Sequence, residues 1–265
     1  MKDFHGKVAV ITGGGSGIGR GMARAFAAEG MKVVVADIEL DAAESVANEI
    51  NGVAAHVDTS SYESVQQLAD KVFDTFGAVH LLCNNAGVGT VGGVLSTTID
   101  DWRWTISVNV FGPIHGVLAF LPRMKDQPGE AHIVNTGSIS GLAPVSQLAA
   151  YSTSKFAVVA LSEVMREELA QFGIGVTVVC PGTVRTRILE ADRNRPAQFG
   201  RSEPKEKRET SMSEAIDPDD LGKSIASAVR RNDLYLTAFS SAANNQAMPA
   251  MVRERCAAVL SALPA

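Results

Sequence analysis

The texture of its apolar runs limits most what this chain can fold into. KVAVIT (7–12), KVVVAD (32–37), VAAHVD (53–58), AVHLLCNNAG (78–87), AHIVNTGS (131–138), VTVVCPG (176–182) and DLYLTA (233–238) are short, mostly continuous, and rich in Val and Ile. Strands with one wet face alternate apolar with polar; strands covered on both faces do not. Helical stretches at about 17–29, 40–50, 61–76, 99–125, 149–172 and 217–231 separate the runs, and 246–262 reads as a last helix. This alternation predicts an α/β fold: a doubly wound parallel sheet of about seven strands with helices on both faces and right-handed crossovers. No polar or Pro/Ser-rich linker divides the 265 residues, so the reading is of a single domain. Two segments break the rhythm. One is the loop 139–148; the other is 183–216, polar and carrying Pro196 and Pro204, long enough to suggest a functional or mobile loop.

Composition excludes several classes. The formal net charge is −5, so no electrostatic footprint for nucleic acid is present. The N-terminal MKDFHGKVAVIT enters a strand without an apolar leader, and no continuous apolar run reaches the ~20 residues that span a bilayer. Cys83, Cys180 and Cys256 have neither disulfide-framework nor metal-ligand spacing, and the first two lie in apolar strands as buried thiols. The five histidines are scattered, with His80, His115 and His132 read as structural or surface residues, and no metal site is expected. The expectation is a cytoplasmic protein without a membrane or nucleic-acid partner.

The first strand runs into TGGGSGIG (12–19) and then a helix. Glycines permit a tight turn and close approach of a pyrophosphate, and a helix N-terminus offers unpaired N–H groups and partial positive charge. The spacing is T-G-x-x-x-G-I-G rather than strict G-x-G-x-x-G, and Gly13, Ser16, Gly17, Ile18 and Gly19 are the candidate phosphate-binding residues. Asp37 ends the second strand about twenty residues on, where a carboxylate accepts hydrogen bonds from the ribose hydroxyls and repels a 2′-phosphate. Ser16 and Ile38, where a basic residue would rescue phosphate binding, are uncharged. NAD is therefore expected over NADP. Asp58, at the end of the third strand, is a candidate for the adenine amino group.

Tyr151 and Lys155 stand four apart in YSTSK at the start of a helical stretch, hence on one helix face. An ammonium beside a phenol favours the phenolate and is expected to pull the pKa below its reference of about 10. A tyrosine tuned this way serves as acid and base near neutrality.

Together these motifs resemble the short-chain dehydrogenase/reductase family, in its compact branch, with a Rossmann-type fold. TGGGSGIG at 12–19, NNAG at 84–87, Asn109, Ser138, YSTSK at 151–155 and PG at 181–182 occur in the family's order. The resemblance implies that Tyr151 is the catalytic acid/base and that Lys155 binds the nicotinamide ribose and lowers the tyrosine's pKa. It implies that Ser138 polarises the substrate oxygen and that Asn109 positions a water and Lys155 in a proton relay. It implies that Asn85, Ala86 and Gly87 form a turn behind the ribose, and that Pro181, Gly182 and the stretch with Val184 and Thr186 cover the nicotinamide. It also implies a homotetramer, with the helices at 99–125 and 149–172 in the main interface and the C-terminal segment in a second.

Ligands bind such sheets at the carboxyl ends of the strands. Val88, Val91, Val94, Ile139, Leu142, Val145 and Leu148 are candidate apolar walls, with Val88, Ser138, Val145, Leu148 and Tyr151 nearest the substrate. The segment 185–209 carries eight Lys/Arg and five Asp/Glu, and reads either as a solvated face or as a lid that draws an anion. RPAQFG (195–200) and NDLYLTAF (232–239) loosely resemble relatives that oxidise benzylic alcohols of lignin-type aryl ethers. The expected activity is NAD-dependent interconversion of a secondary alcohol and a ketone, with an apolar or aryl substrate. The alternative is a catalytically weak NAD-binding redox sensor.

Overall fold

The computed structural model describes residues 1–200, 214–239 and 247–262. Seven parallel strands form one sheet in the order β3-β2-β1-β4-β5-β6-β7. They are β1 Val8–Thr12, β2 Lys32–Asp37, β3 Val53–His56, β4 Leu81–Asn84, β5 Ala131–Thr136, β6 Ile174–Pro181 and β7 Tyr235–Ala238. Every residue of β1, β4, β5 and β6 is buried, which is why their sequences carry no alternation. The winding reverses between β1 and β4, so their carboxyl ends diverge into a crevice.

The helices are α1 Gly17–Ala28, α2 Leu40–Ile50, α3 Tyr62–Phe76, α4 Ile99–Ile106, α5 Gly112–Asp126, α6 Ala149–Glu168, α7 Pro218–Arg231 and α8 Met248–Ser261. One core layer joins α1, α2 and α7 to the sheet through Met22, Phe26, Val46 and Ile225; the other joins α3, α5 and α6 through Leu68, Phe120 and Met165. Helices α1 and α7 cross at backbone contact. A Cβ on Gly21 would stand 2.0 Å from the Pro218 carbonyl oxygen, and one on Gly222 2.2 Å from that of Gly21.

The strands are shorter than expected at their carboxyl ends. Asn85–Gly87, Gly137–Ser138 and Val57–Asp58 leave the ladder and turn into the crevice, though their sequences continue the apolar runs. The helix expected over 99–125 is continuous but contains a π-helical stretch, Ser107–Phe111. One added residue per turn barely disturbs apolar periodicity, so the sequence pattern does not reveal it. The helix expected to reach 172 ends at Glu168 and continues as a 3₁₀ turn, Ala170–Phe172. By length and hydropathy alone Ile99–Asp126 is long enough to cross a membrane. Its Trp104, Asn109, Phe120 and Met124 are buried in the protein, as in a core helix.

Candidate active site

The crevice is a cavity of about 350 Å³ at the carboxyl ends of the strands. The glycine turn forms its floor at one end. Gly13 has φ +62°, and a Cβ there would stand 2.8 Å from the Ala86 Cα; a Cβ on Gly17 (φ +50°) would stand 2.8 Å from the Thr186 side chain. Only glycine fits this cradle. Ser16, the N-cap of α1, makes no side-chain cap to the helix, so Gly17 and Ile18 present the helix N-terminus to the cavity uncapped by it. An anion fits that end on charge and on donor geometry. Gly19 does not line the cavity. A Cβ on it would sit 2.0 Å from the Gly13 carbonyl oxygen, so it seats the helix on the turn instead.

Asp37 is buried, and its two carboxylate oxygens accept from Gly15 N (2.9 Å) and Glu39 N (3.0 Å). Each oxygen keeps lone-pair capacity toward the cavity, which Ile38 and Asp58 also line. Asp58 spends Oδ1 on the Ser60 backbone and hydroxyl. Asn85 staples three strand ends: its Nδ2 donates to Thr12 O (2.9 Å) and Gly13 O (3.2 Å), while its Oδ1 accepts from the Thr136 hydroxyl. Asn85, Ala86 and Gly87 line one side of the cavity, and Pro181, Gly182, Val184 and Thr186 another.

Ser138, Tyr151 and Lys155 share the cavity. Ser138 precedes the 3₁₀ turn Ile139–Gly141, and its hydroxyl accepts from Ser140 N at 3.1 Å. Tyr151 stands in the first turn of α6, and the Ser154 hydroxyl below it donates to the Tyr151 carbonyl oxygen at 2.7 Å. A Cβ on Gly141 would stand 2.5 Å from the Lys155 carbonyl oxygen, so this glycine lets the Ser138 turn close onto α6. Lys155 Nζ donates to Thr136 O at 2.8 Å and lies 5.6 Å from the Tyr151 ring centre.

The electrostatics correct one expectation. Burial pushes the Tyr151 phenol above its ordinary value, against a downward pull from the Ser138 hydrogen bond. Burial lowers the Lys155 ammonium to about 8. The amine donates to a backbone carbonyl, and burial outweighs the Ser138 hydrogen bond at the phenol, so spacing in YSTSK does not by itself make the phenol acidic.

Asn109 lies in the π-helical stretch and does not line the cavity. Its Oδ1 accepts from Val88 N (2.8 Å), and its Nδ2 donates to Val88 O (2.9 Å) and to the Ser154 hydroxyl (3.0 Å). It ties the chain after Gly87 to the helix that carries Tyr151 and Lys155. π-helical insertions are common at functional sites because they redirect one side chain.

Val88, Val91, Ile139, Val145 and Leu148 line the apolar end, whereas Val94 and Leu142 do not. Val94 is exposed, and Leu142 packs on Val158, Val159, Val178 and Cys180. Trp104 and Val108, one helical turn apart, and Ile188 and Leu189 complete the wall. Sequence reading passed over them; an apolar pair inside an otherwise charged loop was the available signal. The arginines of 185–195 are paired: Arg185 with Asp217, Arg187 with Glu190, Arg193 with Glu39 and Arg195 with Asp101. The remaining basic residues of that segment, Arg201, Lys205, Lys207 and Arg208, fall outside the described residues. Among the described residues no cluster of His, Cys, Asp or Glu could hold a metal ion. Cys83 and Cys180 are buried, with the Cys180 thiol pushed up to about 12 by burial.

A glycine turn at a helix N-terminus, a buried carboxylate at the end of β2 and a Ser, Tyr and Lys set share one crevice of a Rossmann-type sheet, the arrangement of nicotinamide-dependent oxidoreductases. The sequence profile of the short chain dehydrogenase family matches residues 7–197, and the chain belongs to that family. It is 38% identical over 251 residues to the C alpha-dehydrogenase of Sphingobium sp. strain SYK-6, covering 90% of this chain and 82% of that one. It is 38% identical over 188 residues to the meso-2,3-butanediol dehydrogenase of Serratia marcescens, covering 70% and 74%. A crystal structure of a family member from Burkholderia phymatum in complex with NAD superposes with a TM-score of 0.89 at 36% identity, covering 100% and 98% of the chains. The apo form of LigD from Sphingobium sp. strain SYK-6 gives 0.81 at 30% identity, covering 99% and 100%.

Proposed function

We propose that this protein is an NAD-dependent dehydrogenase that interconverts a secondary alcohol and a ketone with a largely apolar or aryl body. The observation that carries the reading is the meeting of Ser138, Tyr151 and Lys155 in the cavity that also holds the uncapped α1 N-terminus and Asp37. The nicotinamide, when bound, supplies the hydride acceptor or donor. Gly13, Ser16, Gly17 and Ile18 would hold its pyrophosphate, Asp37 the adenosine ribose, and Pro181 to Thr186 the nicotinamide end.

In the reducing direction the Tyr151 phenol gives its proton to the ketone oxygen, and in the oxidising direction its phenolate takes the alcohol's hydroxyl proton. Ser138 donates to that oxygen as charge develops on it. Lys155, charged below about pH 8, anchors the nucleotide ribose and supplies positive charge behind the phenol. Asn109 fixes Val88 and Ser154, and so the spacing between the nucleotide turn and α6. Asp37 and the NAD-bound relative favour NAD over NADP. Trp104, Val88, Val108 and Leu148 favour an aryl or alicyclic group over a small polar one.

The test is a steady-state screen of aryl, alicyclic and small polar secondary alcohols with NAD and with NADP. The reading expects turnover with NAD and preference for the apolar set. Tight NAD binding with no turnover, unaffected by Tyr151→Phe, would leave a redox sensor as the better account. We also propose a homotetramer, on exposed Phe111 of the π-helical stretch, Leu118 of α5, Val164 of α6, Phe172, and an α8 that buries no residue in the protomer.

A further inference from the structure

Arg193 lines the same cavity as Asp37 and Ile38, although it comes from the segment after β6 and they come from the end of β2. Four of its five guanidinium N–H groups are engaged. Nε and Nη2 donate to the two carboxylate oxygens of Glu39 (3.3 and 2.7 Å), a forked pair that spans 154 positions of sequence. Nη1 donates to the carbonyl oxygens of Glu190 (3.0 Å) and Arg187 (3.4 Å). Both side chains are about a quarter to a third exposed, at 25% and 31%, so the pair sits at the mouth of the crevice. Glu39 follows Asp37 by two residues, and its backbone N–H is held by the Asp37 carboxylate. Arg193 holds the Glu39 carboxyl below its ordinary range against burial, with the nearby Arg187 adding to the effect. Arg187, the other arginine of this segment in the cavity wall, is paired with Glu190.

An adenosine ribose held by Asp37 would therefore face one carboxylate and one cancelled cation. A 2′-phosphate needs a cation with free N–H groups, and Arg suits it because its planar fork matches phosphate oxygens. We propose that Glu39 is a specificity-determining residue for the nucleotide: by holding Arg193 in a neutral pair it denies a 2′-phosphate that counter-charge. Without Glu39 the mouth of the cavity moves from a net charge of −1 (Asp37, Glu39, Arg193) to 0, and the fork of Arg193 is released. Asp37 alone then opposes the phosphate, and a cation answers it.

This inference rests on the nicotinamide-cofactor reading above. The experiment measures dissociation constants of NADH and NADPH by nucleotide fluorescence for wild type, Glu39→Gln, and Glu39→Gln/Arg193→Met, at low and at moderate salt. Glu39→Gln is expected to raise the ratio of NADPH to NADH affinity by about fivefold or more at low salt, and by less when salt screens the new contact. The double variant is expected to fall back to within about twofold of the wild-type ratio. A ratio unchanged in Glu39→Gln, or a gain that survives removal of Arg193, overturns the proposal. Failure of the wild type to bind either nucleotide would instead sink the cofactor reading, so the two failures are told apart.

Discussion

Arg195 and Asp101 form a buried ion pair whose loss should be felt both in stability and in substrate binding. Their side chains are 3% and 2% exposed, and Nη1 lies 2.6 Å from Asp101 Oδ1. The guanidinium also donates from Nε and Nη2 to Phe199 O (3.1 and 2.7 Å) and stacks 5.0 Å from the Trp104 ring centre. Asp101 in turn closes the capping box of α4 with Thr98. The pair thus fastens the segment after β6 to the helix that supplies Trp104, beside the cluster of Val88, Trp104 and Ala191 on the cavity wall. Arg195→Met strips the cation and leaves a carboxylate in a dry site, which costs about 3–5 kcal/mol. That is a large share of a typical stability of roughly 5–15 kcal/mol. Asp101→Asn/Arg195→Met leaves no uncompensated charge and should recover about half the loss or more. Urea unfolding followed by tryptophan fluorescence measures each variant. Substrate KM should rise about tenfold in Arg195→Met while the NADH dissociation constant stays within about twofold. A loss under about 1 kcal/mol with an unchanged KM would refute the claim that this pair holds the wall.

Four further outcomes follow from the same geometry. Tyr151→Phe should lower kcat by about 10²–10⁴-fold while leaving NADH binding in place, as measured by steady-state rates and fluorescence titration. Gly13→Ala should abolish nucleotide binding, since its Cβ would meet backbone at 2.8 Å, whereas Gly77→Ala (φ +77°, nothing within 4 Å) should cost about 1 kcal/mol of stability and leave binding intact. Burial lowers Lys155 to about 8, so its cation is lost as pH rises through that value; NADH affinity should weaken above pH 8 in wild type and show no such step in Lys155→Met. His132 is held to about 3 by burial, with His80 shifted the same way, so the unfolded chain takes up protons below pH 6.5 that the fold refuses. Stability should therefore fall as pH falls, with His132 contributing up to about 1.4 kcal/mol per pH unit, and His132→Gln should remove that contribution between pH 6.5 and 5 in urea titrations.

The sheet was legible because β1, β4, β5 and β6 are covered on both faces, so burial writes itself into sequence as unbroken Val and Ile. Where those strands end was not, because Asn85–Gly87 and Gly137–Ser138 leave the ladder to face a crevice that no local pattern encodes. The glycine turn was readable as a tight turn into a helix N-terminus, yet Gly19 reads the same as Gly17 in a motif while one seats a helix and the other opens onto the cavity. Asn109 stands out as a polar residue in an apolar helix, but the π-helical stretch that aims it at Val88 leaves no mark on periodicity.

The charged loop shows where the limit lies. Arg193 and Arg195 are two residues apart in one polar stretch, and composition treats them alike. One pairs at the mouth of the cavity with a carboxylate 154 positions away; the other is sealed against Trp104 with a carboxylate 94 positions away. Tyr151 and Lys155 pose the same problem in reverse. Their spacing fixes a shared helix face, but the sign of the phenol's shift depends on how dry the site is and on where Nζ points, and here it points to Thr136. Local sequence specifies which groups are available; the partner that decides each group's charge state arrives from elsewhere in the chain, and only the assembled fold names it.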